Sequence, residues 1–332
     1  MDWSKGFSAS FYMSVVDLDT WRDIKRIELT GGRVSCMPTG LRQSASVTCT
    51  EFDAGKEIWM RVWMTVTQGK NSDNIPLFTG LATSSDTDVN GTRKEYPVQC
   101  YSVLKPAQDM LLLRGWYAPV ATGADILFRQ LLDVCPAPLS IDAGCPSLTA
   151  AIIAGKGETN LSMVDRILTA INWRMVLEGD GTIHICPKAS KVSVIFDALE
   201  YDVIEPEVTL ARDWFDCPNV FRAVQDDLTA IARDDDPDSF LSTVRRGREV
   251  WKEEDGCDFA EGETIGEYAI RRLKEEQQVA LVVSYNRRFH PEIRVGDIIR
   301  LSYPSSGLDG AFTVNTQSMD LGKTSVKEEV IL

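Results

Sequence analysis

Residues 264–314 constrain the fold of this chain more than any other stretch, because a capped helix runs there directly into strands. Thr264-Ile265-Gly266-Glu267 spells a capping box, in which the threonine hydroxyl and the Glu267 carboxylate satisfy reciprocal backbone N–H groups. Ile265, Tyr268, Ala269 and Leu273 then recur at helical spacing and give one apolar stripe. The β-rich run Val279-Ala280-Leu281-Val282-Val283-Ser284-Tyr285 follows, then Pro291 through Leu301 and Gly307 through Val314. Gly296-Asp297 and Asp309-Gly310 interrupt these strands as turns would, which predicts a small antiparallel barrel.

A period of two also fills the first hundred residues. Phe7, Ala9, Phe11, Met13 and Val15 alternate with mostly small polar residues, and Ala45, Val47 and Cys49 repeat the pattern. Ile58, Met60, Val62, Met64 and Val66 repeat it most cleanly, with Trp59, Arg61, Trp63 and Thr65 on the other face. Gly31-Gly32, Asp53-Ala54-Gly55 and Asn90-Gly91 separate the runs, so a sandwich or barrel is expected.

Between about 110 and 190 the period changes. Thr122 is expected to cap a helix that carries Ala124, Leu127, Phe128 and Leu131 on one face. A loop with Pro136, Pro138 and Pro146 leads to a second helix with Leu161, Val164, Leu168 and Ile171. Trp173–Leu177 and Thr182–Cys186 then flank Glu178-Gly179-Asp180-Gly181, a hairpin signature. Strand character returns over 191–224.

The predicted class is therefore α+β and β-rich: two antiparallel β-barrels, an α+β domain between them, and an insertion in the second barrel. The expected boundaries are 1–110 for the first barrel and 111–190 for the α+β domain with its two helices and hairpin. Residues 191–225 with 275–332 form the discontinuous second barrel, and 226–274 form an acidic insertion ending in a helix.

Composition bounds what such a chain can do. At 332 residues a hydrophobic core needs no disulfide or metal staple. No stretch approaches the roughly 20 apolar residues of a membrane span, so no membrane insertion is expected. The start, Met1-Asp2-Trp3-Ser4-Lys5, lacks the pattern of a secretory signal, which makes synthesis in a cytoplasm the expectation. The eight cysteines are scattered without a C-x-x-C pair and read as free thiols, although Cys135 and Cys145 flank one Pro-rich loop. Net charge is −14, which argues against wrapping nucleic acid. Residues 226–263 hold thirteen Asp or Glu against five Arg or Lys, a local net of −8, as expected of a solvated surface insertion.

The order of features resembles the phage tail-hub, or baseplate-hub, family over nearly the whole chain. Trp116-Tyr117-Ala118 through Gly123-Ala124-Asp125-Ile126-Leu127 and Leu131-Leu132 resemble that family's first inter-barrel helix. Gly157 through Asp165 and Ile171-Asn172-Trp173-Arg174 resemble its second helix entering a hairpin. Asp235 through Ser239 with Ser242 through Arg248 is similar to its insertion, and Pro291 through Ile298 to its closing barrel.

The resemblance implies a homotrimer in which two similar, tube-like barrels per subunit alternate to make a ring of six. Such a ring matches a sixfold tail tube above to a threefold tip or spike below and surrounds the channel through which DNA leaves. The implied partners are the tail tube or distal tail protein, the tip or central spike protein and the tape measure protein, with DNA passing without specific binding. The implied place is the virion, at the tail tip or baseplate, after assembly in the host cytoplasm. Trp59 and Trp63 are candidates for burial between subunits. The alternative places them in the barrel's own core, with Met60 and Met64 outward.

No catalytic, cofactor-binding or metal-ligating residue is assigned from the sequence, and no enzyme activity is expected. His184 and His290 stand without an H-E-x-x-H or a Cys/His cluster and read as surface or structural. Asp86 through Gly91 copies half a calcium loop, but Pro97 holds the place of its bidentate glutamate, so Asn90-Gly91 reads as a hairpin turn. Asp234-Asp235-Asp236 reads as a solvated acidic loop, and Gly155-Lys156-Gly157 lacks the spacing of a phosphate loop. Arg245, Arg246 and Arg248 are the one basic cluster, read as neutralising neighbouring acids or docking an acidic partner. Two other functions compete with the hub: a tail-associated cell-wall hydrolase using an Asp/Glu pair, and a carbohydrate- or receptor-binding module.

Overall fold

The computed structural model describes residues 1–332 except 54, 85, 92, 198–203, 213, 258, 261, 279 and 304–306. Ala54 and Val279, both named above in a turn and a strand run, lie outside the described residues. Alternation in the first hundred residues produces β1 (Ser8–Asp17), β2 (Arg22–Cys36), β3 (Gln43–Cys49), β4 (Ile58–Gln68), β5 (Asn71–Thr83), β6 (Asp88–Asn90) and β7 (Arg93–Ser102). Their pairings run β1-β4-β5-β7-β3-β2 and return from β2 to β1, all antiparallel. Met13, Val47, Met60, Val62, Phe78 and Val98 fill the interior of this unit, each nearly inaccessible to solvent. Met60 therefore points inward at 1% exposure, while Met64, at 0%, is buried beside Met319 and Val326, so neither methionine faces solvent.

Next come α1 (Lys105–Asp109), β8 (Tyr117–Ala118), α2 (Ala124–Leu132), β9 (Leu139–Ile141), β10 (Ile152–Ile153), α3 (Asn160–Ala170), β11 (Trp173–Leu177) and β12 (Ile183–Pro187). The apolar stripes of α2 and α3 meet over the sheet β11-β12-β9 in one core, which includes Phe128, Leu131, Val164, Ile167, Ile183 and Ile185. Thr159 and Ser162 form a capping box at the start of α3. Thr122, by contrast, does not cap α2. Gly123 holds that place, and the Thr122 hydroxyl donates back to the Pro119 carbonyl at 2.8 Å to close the preceding turn.

The remaining elements are β13 (Val192–Asp197), β14 (Ile204–Ala211), β15 (Val220–Gln225), β16 (Leu228–Arg233), α4 (Thr243–Arg246), β17 (Trp251–Asp255), α5 (Ile265–Gln278), β18 (Val282–Arg288), β19 (Ile298–Tyr303), β20 (Leu308–Asp320) and β21 (Ser325–Ile331). Strand β15 pairs with β16 and β17, not with β14 or β18, so the strand character read over 191–224 divides between two sheets. Helix α5 begins at its capping box, with the Thr264 N–H donating to Glu267 at 2.9 Å and the Glu267 N–H to the Thr264 hydroxyl at 3.3 Å. Its stripe lands as the spacing predicts: Tyr268, Ala269 and Leu273 pack on Phe221, Ala223 and Ala232 of the β15–β16 pair.

The other six strands pair in the order β13-β19-β20-β21-β18-β14. Lettered a to f along the chain, the six strands of this unit and of the first, β6 aside, both read a-d-e-f-c-b. They differ at strand a, since β13 runs parallel to β19 whereas β1 runs antiparallel to β4. The two units also join directly, because Arg33–Cys36 of β2 pairs with Gln317–Asp320 of β20. The turn read at Asp309-Gly310 falls instead inside β20, where Asp309 pairs with Ser302 and Gly310 with Leu301. Among the described residues no helix is long and apolar enough to cross a membrane.

Candidate functional site

The hairpin of β11 and β12 is wedged between the two six-strand units, and a cleft of about 1330 Å³ opens around it. Its tip presses on β5. The Gly179 Cα lies so near that a Cβ there would stand 1.9 Å from the Pro76 carbonyl oxygen, which explains why glycine occupies this place. Trp21 Nε1 and Arg61 Nη2 both donate to the Asp180 carbonyl at 3.0 Å, and the Thr79 hydroxyl donates to the Gly179 carbonyl at 2.8 Å. Arg42 pairs with Asp165 of α3 at 2.5 Å, and Gln43 donates to the Leu177 carbonyl at 2.8 Å.

On its other side the hairpin grips the loop before β19. Arg174 meets Asp297 at 2.7 Å, and Arg294 meets Glu178 at 2.7 Å. Gly296 adopts φ +87°, and a Cβ there would meet the Arg174 guanidinium at 2.8 Å, so the Gly-Asp step read as a turn also makes room for this contact. Asp297 completes it by accepting the Arg294 N–H at 2.9 Å. Lys188 extends the clamp to α5 through Glu275 at 2.9 Å.

Trp59 is covered from within the chain. It packs on the α+β core beside Trp21, with ring centroids 6.1 Å apart. Trp63 is half-buried, stacks on Tyr12 at 6.2 Å, and donates to Asp23 at 2.8 Å and Ser14 at 3.1 Å. Among the described residues the hydrogen bonds of the arginine cluster go to backbone carbonyls, with Asp216 adding a charge near Arg246. Arg246 donates to the carbonyls of Cys217 and Phe215, Arg248 to that of Phe215, and Arg245 to that of Asp238. Arg246 also lies over Trp214, and Arg248 lies 4.5 Å from the Phe215 centroid.

The two histidines differ in setting. His290 packs by Trp3, and burial together with the Arg287 charge holds its pKa below the ordinary value. His184 Nε2 lies 2.8 Å from Asp142, and its Nδ1 lies 3.8 Å from Glu178. Asp142, His184 and Cys186 present oxygen, nitrogen and sulfur atoms all within 4.8 Å of one another. Sequence reading missed this group because Asp142 is 42 residues from His184. Only the alternation Thr182–Cys186, which sets His184 and Cys186 on one strand face, hinted at it.

The other motifs are ordinary turns. Asn90 pairs with Arg93 across a reversal in which Gly91 has φ +62°. Gly155-Lys156-Gly157 turns into α3, with the Gly155 N–H held by Glu158 at 2.6 Å. Asp234 accepts from Ser239 at 2.6 Å and from Gln277 at 3.1 Å, so the acidic loop is tied to α5.

A tail protein of Neisseria meningitidis MC58 matches this architecture with a TM-score of 0.71 at 13% identity, over 98% of this chain and 97% of its own. The 43 kDa tail protein of prophage MuSo2 from Shewanella oneidensis gives 0.67 at 13% identity, over 97% and 96%. This chain has the phage tail-protein fold. An E. coli component of the type VI secretion system, described as similar to the T4 bacteriophage tail proteins gp27 and gp5, gives 0.52 at 8% identity, over 92% of this chain and 73% of its own. No protein-family model and no curated protein matches the sequence. The tail-protein fold takes in the whole architecture, so the wedged hairpin and the α5 sheet are parts of it.

Proposed function

We propose that this chain is a structural hub of a phage or phage-like tail, and that it works as a homotrimeric ring without bond chemistry. The observation that carries the reading is the repeated a-d-e-f-c-b strand order within a tail-protein fold. Two alike units per chain supply six around a threefold axis, which is what a junction between a sixfold tube and a threefold tip requires. In this reading residues 1–110 and the pair 191–225 with 275–332 are the two tube-like barrels, apart from Val220–Gln225 and the end of α5, which join the insertion. Residues 111–190 are the α+β domain between them, and 226–274 are the insertion.

The clamp around the β11–β12 hairpin supports it as well. A ring under load needs its barrels held at fixed angles, and the Arg174–Asp297 and Arg42–Asp165 pairs link both units to one hairpin-and-helix body. A net charge of −14 suits a channel wall past which DNA slides without sticking. The partners would be the tail tube or distal tail protein, the tip or central spike, and the tape measure protein, in a virion assembled in the host cytoplasm.

Native mass spectrometry tests this. The expected species is a trimer of the 36.9 kDa chain, and electron micrographs should show threefold rings with six lobes. A monomer at micromolar concentration, with no ring in the presence of tail tube protein, would overturn the proposal.

A further inference from the structure

Strand alternation places His184 and Cys186 on the same face of β12, while Ile183 and Ile185 between and beside them are buried in the opposite face. Strand β9 runs parallel alongside, with Ser140 opposite His184 and Ile141 opposite Ile185. Asp142 is the next residue, and its backbone N–H donates to the Ile185 carbonyl at 2.9 Å, which fixes the carboxylate over the histidine. Three chemically different donors thus converge from two backbone segments that the sheet holds in register.

We propose that Asp142, His184 and Cys186 form a binding site for a zinc-type divalent cation, with one coordination position left to water. The chemistry of the set selects the metal. A thiolate and an imidazole beside a single carboxylate suit a borderline ion such as Zn²⁺, whereas Mg²⁺ and Ca²⁺ call for oxygen alone. Bonds of about 2.0–2.3 Å to a tetrahedral ion put donors roughly 3–4 Å apart. The present separations, 2.8 Å for His184 to Asp142 and at most 4.8 Å across the set, need only small side-chain rotations to reach that.

The surroundings resemble those that orient ligands elsewhere. A ligating histidine commonly directs its other nitrogen to a carboxylate. Glu178 lies 3.8 Å from His184 Nδ1, and Arg294 anchors it at 2.7 Å. Burial raises the Cys186 thiol pKa, and the adjacent Arg174 guanidinium works against that by favouring the thiolate. Asp142 and His184 remain partly open to solvent, with 46% and 29% of their side chains exposed, so an ion has a path in. The bound ion would pin the end of β9 to β12 at the hairpin that separates the two β units.

Cobalt titration of the full-length protein tests the proposal, because Co²⁺ bound to a thiolate gives a charge-transfer absorption. The expected result is one equivalent of Co²⁺ with that band, displaced by Zn²⁺. The band should vanish in Cys186→Ser, and Glu178→Gln should weaken binding about 10- to 100-fold with the band intact. Circular dichroism identical to wild type would confirm that each variant is folded. Absence of the band at excess Co²⁺ in the wild-type protein would overturn the proposal. So would a band that survives Cys186→Ser, since it would belong to another of the eight thiols.

Discussion

The guanidinium of Arg287 and the carboxylate of Glu328 meet at 2.6 Å inside the second six-strand unit, with 1% and 0% of their side chains exposed. Tyr285 donates to the same carboxylate at 2.5 Å and Gln317 at 2.8 Å, so the charge sits in a complete set of partners. Burial pushes the Glu328 carboxyl up, but these donors outweigh it and hold the group below the ordinary carboxylate range. Glu328→Gln should cost about 3–5 kcal/mol, because it leaves a buried cation without its counter-charge. Arg287→Met together with Glu328→Leu should recover most of that loss. Denaturant unfolding of the single and double variants checks this, and additive losses would contradict it.

Much of the local structure was legible. The even-numbered methionine stripe marks the buried face of β4, and Thr264-Gly266-Glu267 marks the start of α5. Such features depend on neighbours within a few positions. The pairing of β2 with β20 brings Cys36 to Gln317, and no local period encodes a contact of that range. The same limit applies to the wedged hairpin: Gly179 reads as a turn residue, and nothing nearby in sequence announces the Pro76 carbonyl against it. The Asp142–His184–Cys186 group was hidden for that reason too.

Gly179→Ala is therefore expected to destabilise the protein although its site is a hairpin tip. The added methyl would lie 1.9 Å from backbone, which cannot rotate away as a side chain could. A loss of about 1–3 kcal/mol is expected, the range for overpacked interiors. Equilibrium denaturation measures it, and an unchanged midpoint would show that the tip moves off β5 freely.

Acidification should weaken the fold before the carboxylates titrate. The His290 pKa is lowered in the folded protein by burial and by Arg287, so the unfolded chain binds its proton more readily. That contribution is fully present above the unfolded value of about 6.5 and is lost as pH falls through the folded value. Thermal midpoints should therefore decline as pH falls below about 6.5, and His290→Asn should flatten the slope there. An equal slope in the variant would assign the decline to other groups. Glu263, Glu267 and Asp320, also lowered, act only in the more acidic range.

Asp297 ties the wedge to the second unit, and two substitutions separate its two roles. Its carboxylate takes the Arg174 guanidinium at 2.7 Å and the Arg294 N–H at 2.9 Å, with a tenth of the side chain exposed. Asp297→Ala removes both partners and leaves Arg174, whose Nε already has no hydrogen-bond partner among the described residues, without its counter-charge. The expected loss is about 1–3 kcal/mol. Asp297→Asn keeps an acceptor for the turn but not the charge, so its loss should be smaller. Hydrogen exchange should locate the effect, with faster exchange in Trp173–Leu177 and in the loop before β19 and little change in β1–β7. If both variants stay within about 0.5 kcal/mol of wild type, Asp297 does not hold the hairpin, and the Arg294–Glu178 pair and the contacts with the first unit suffice.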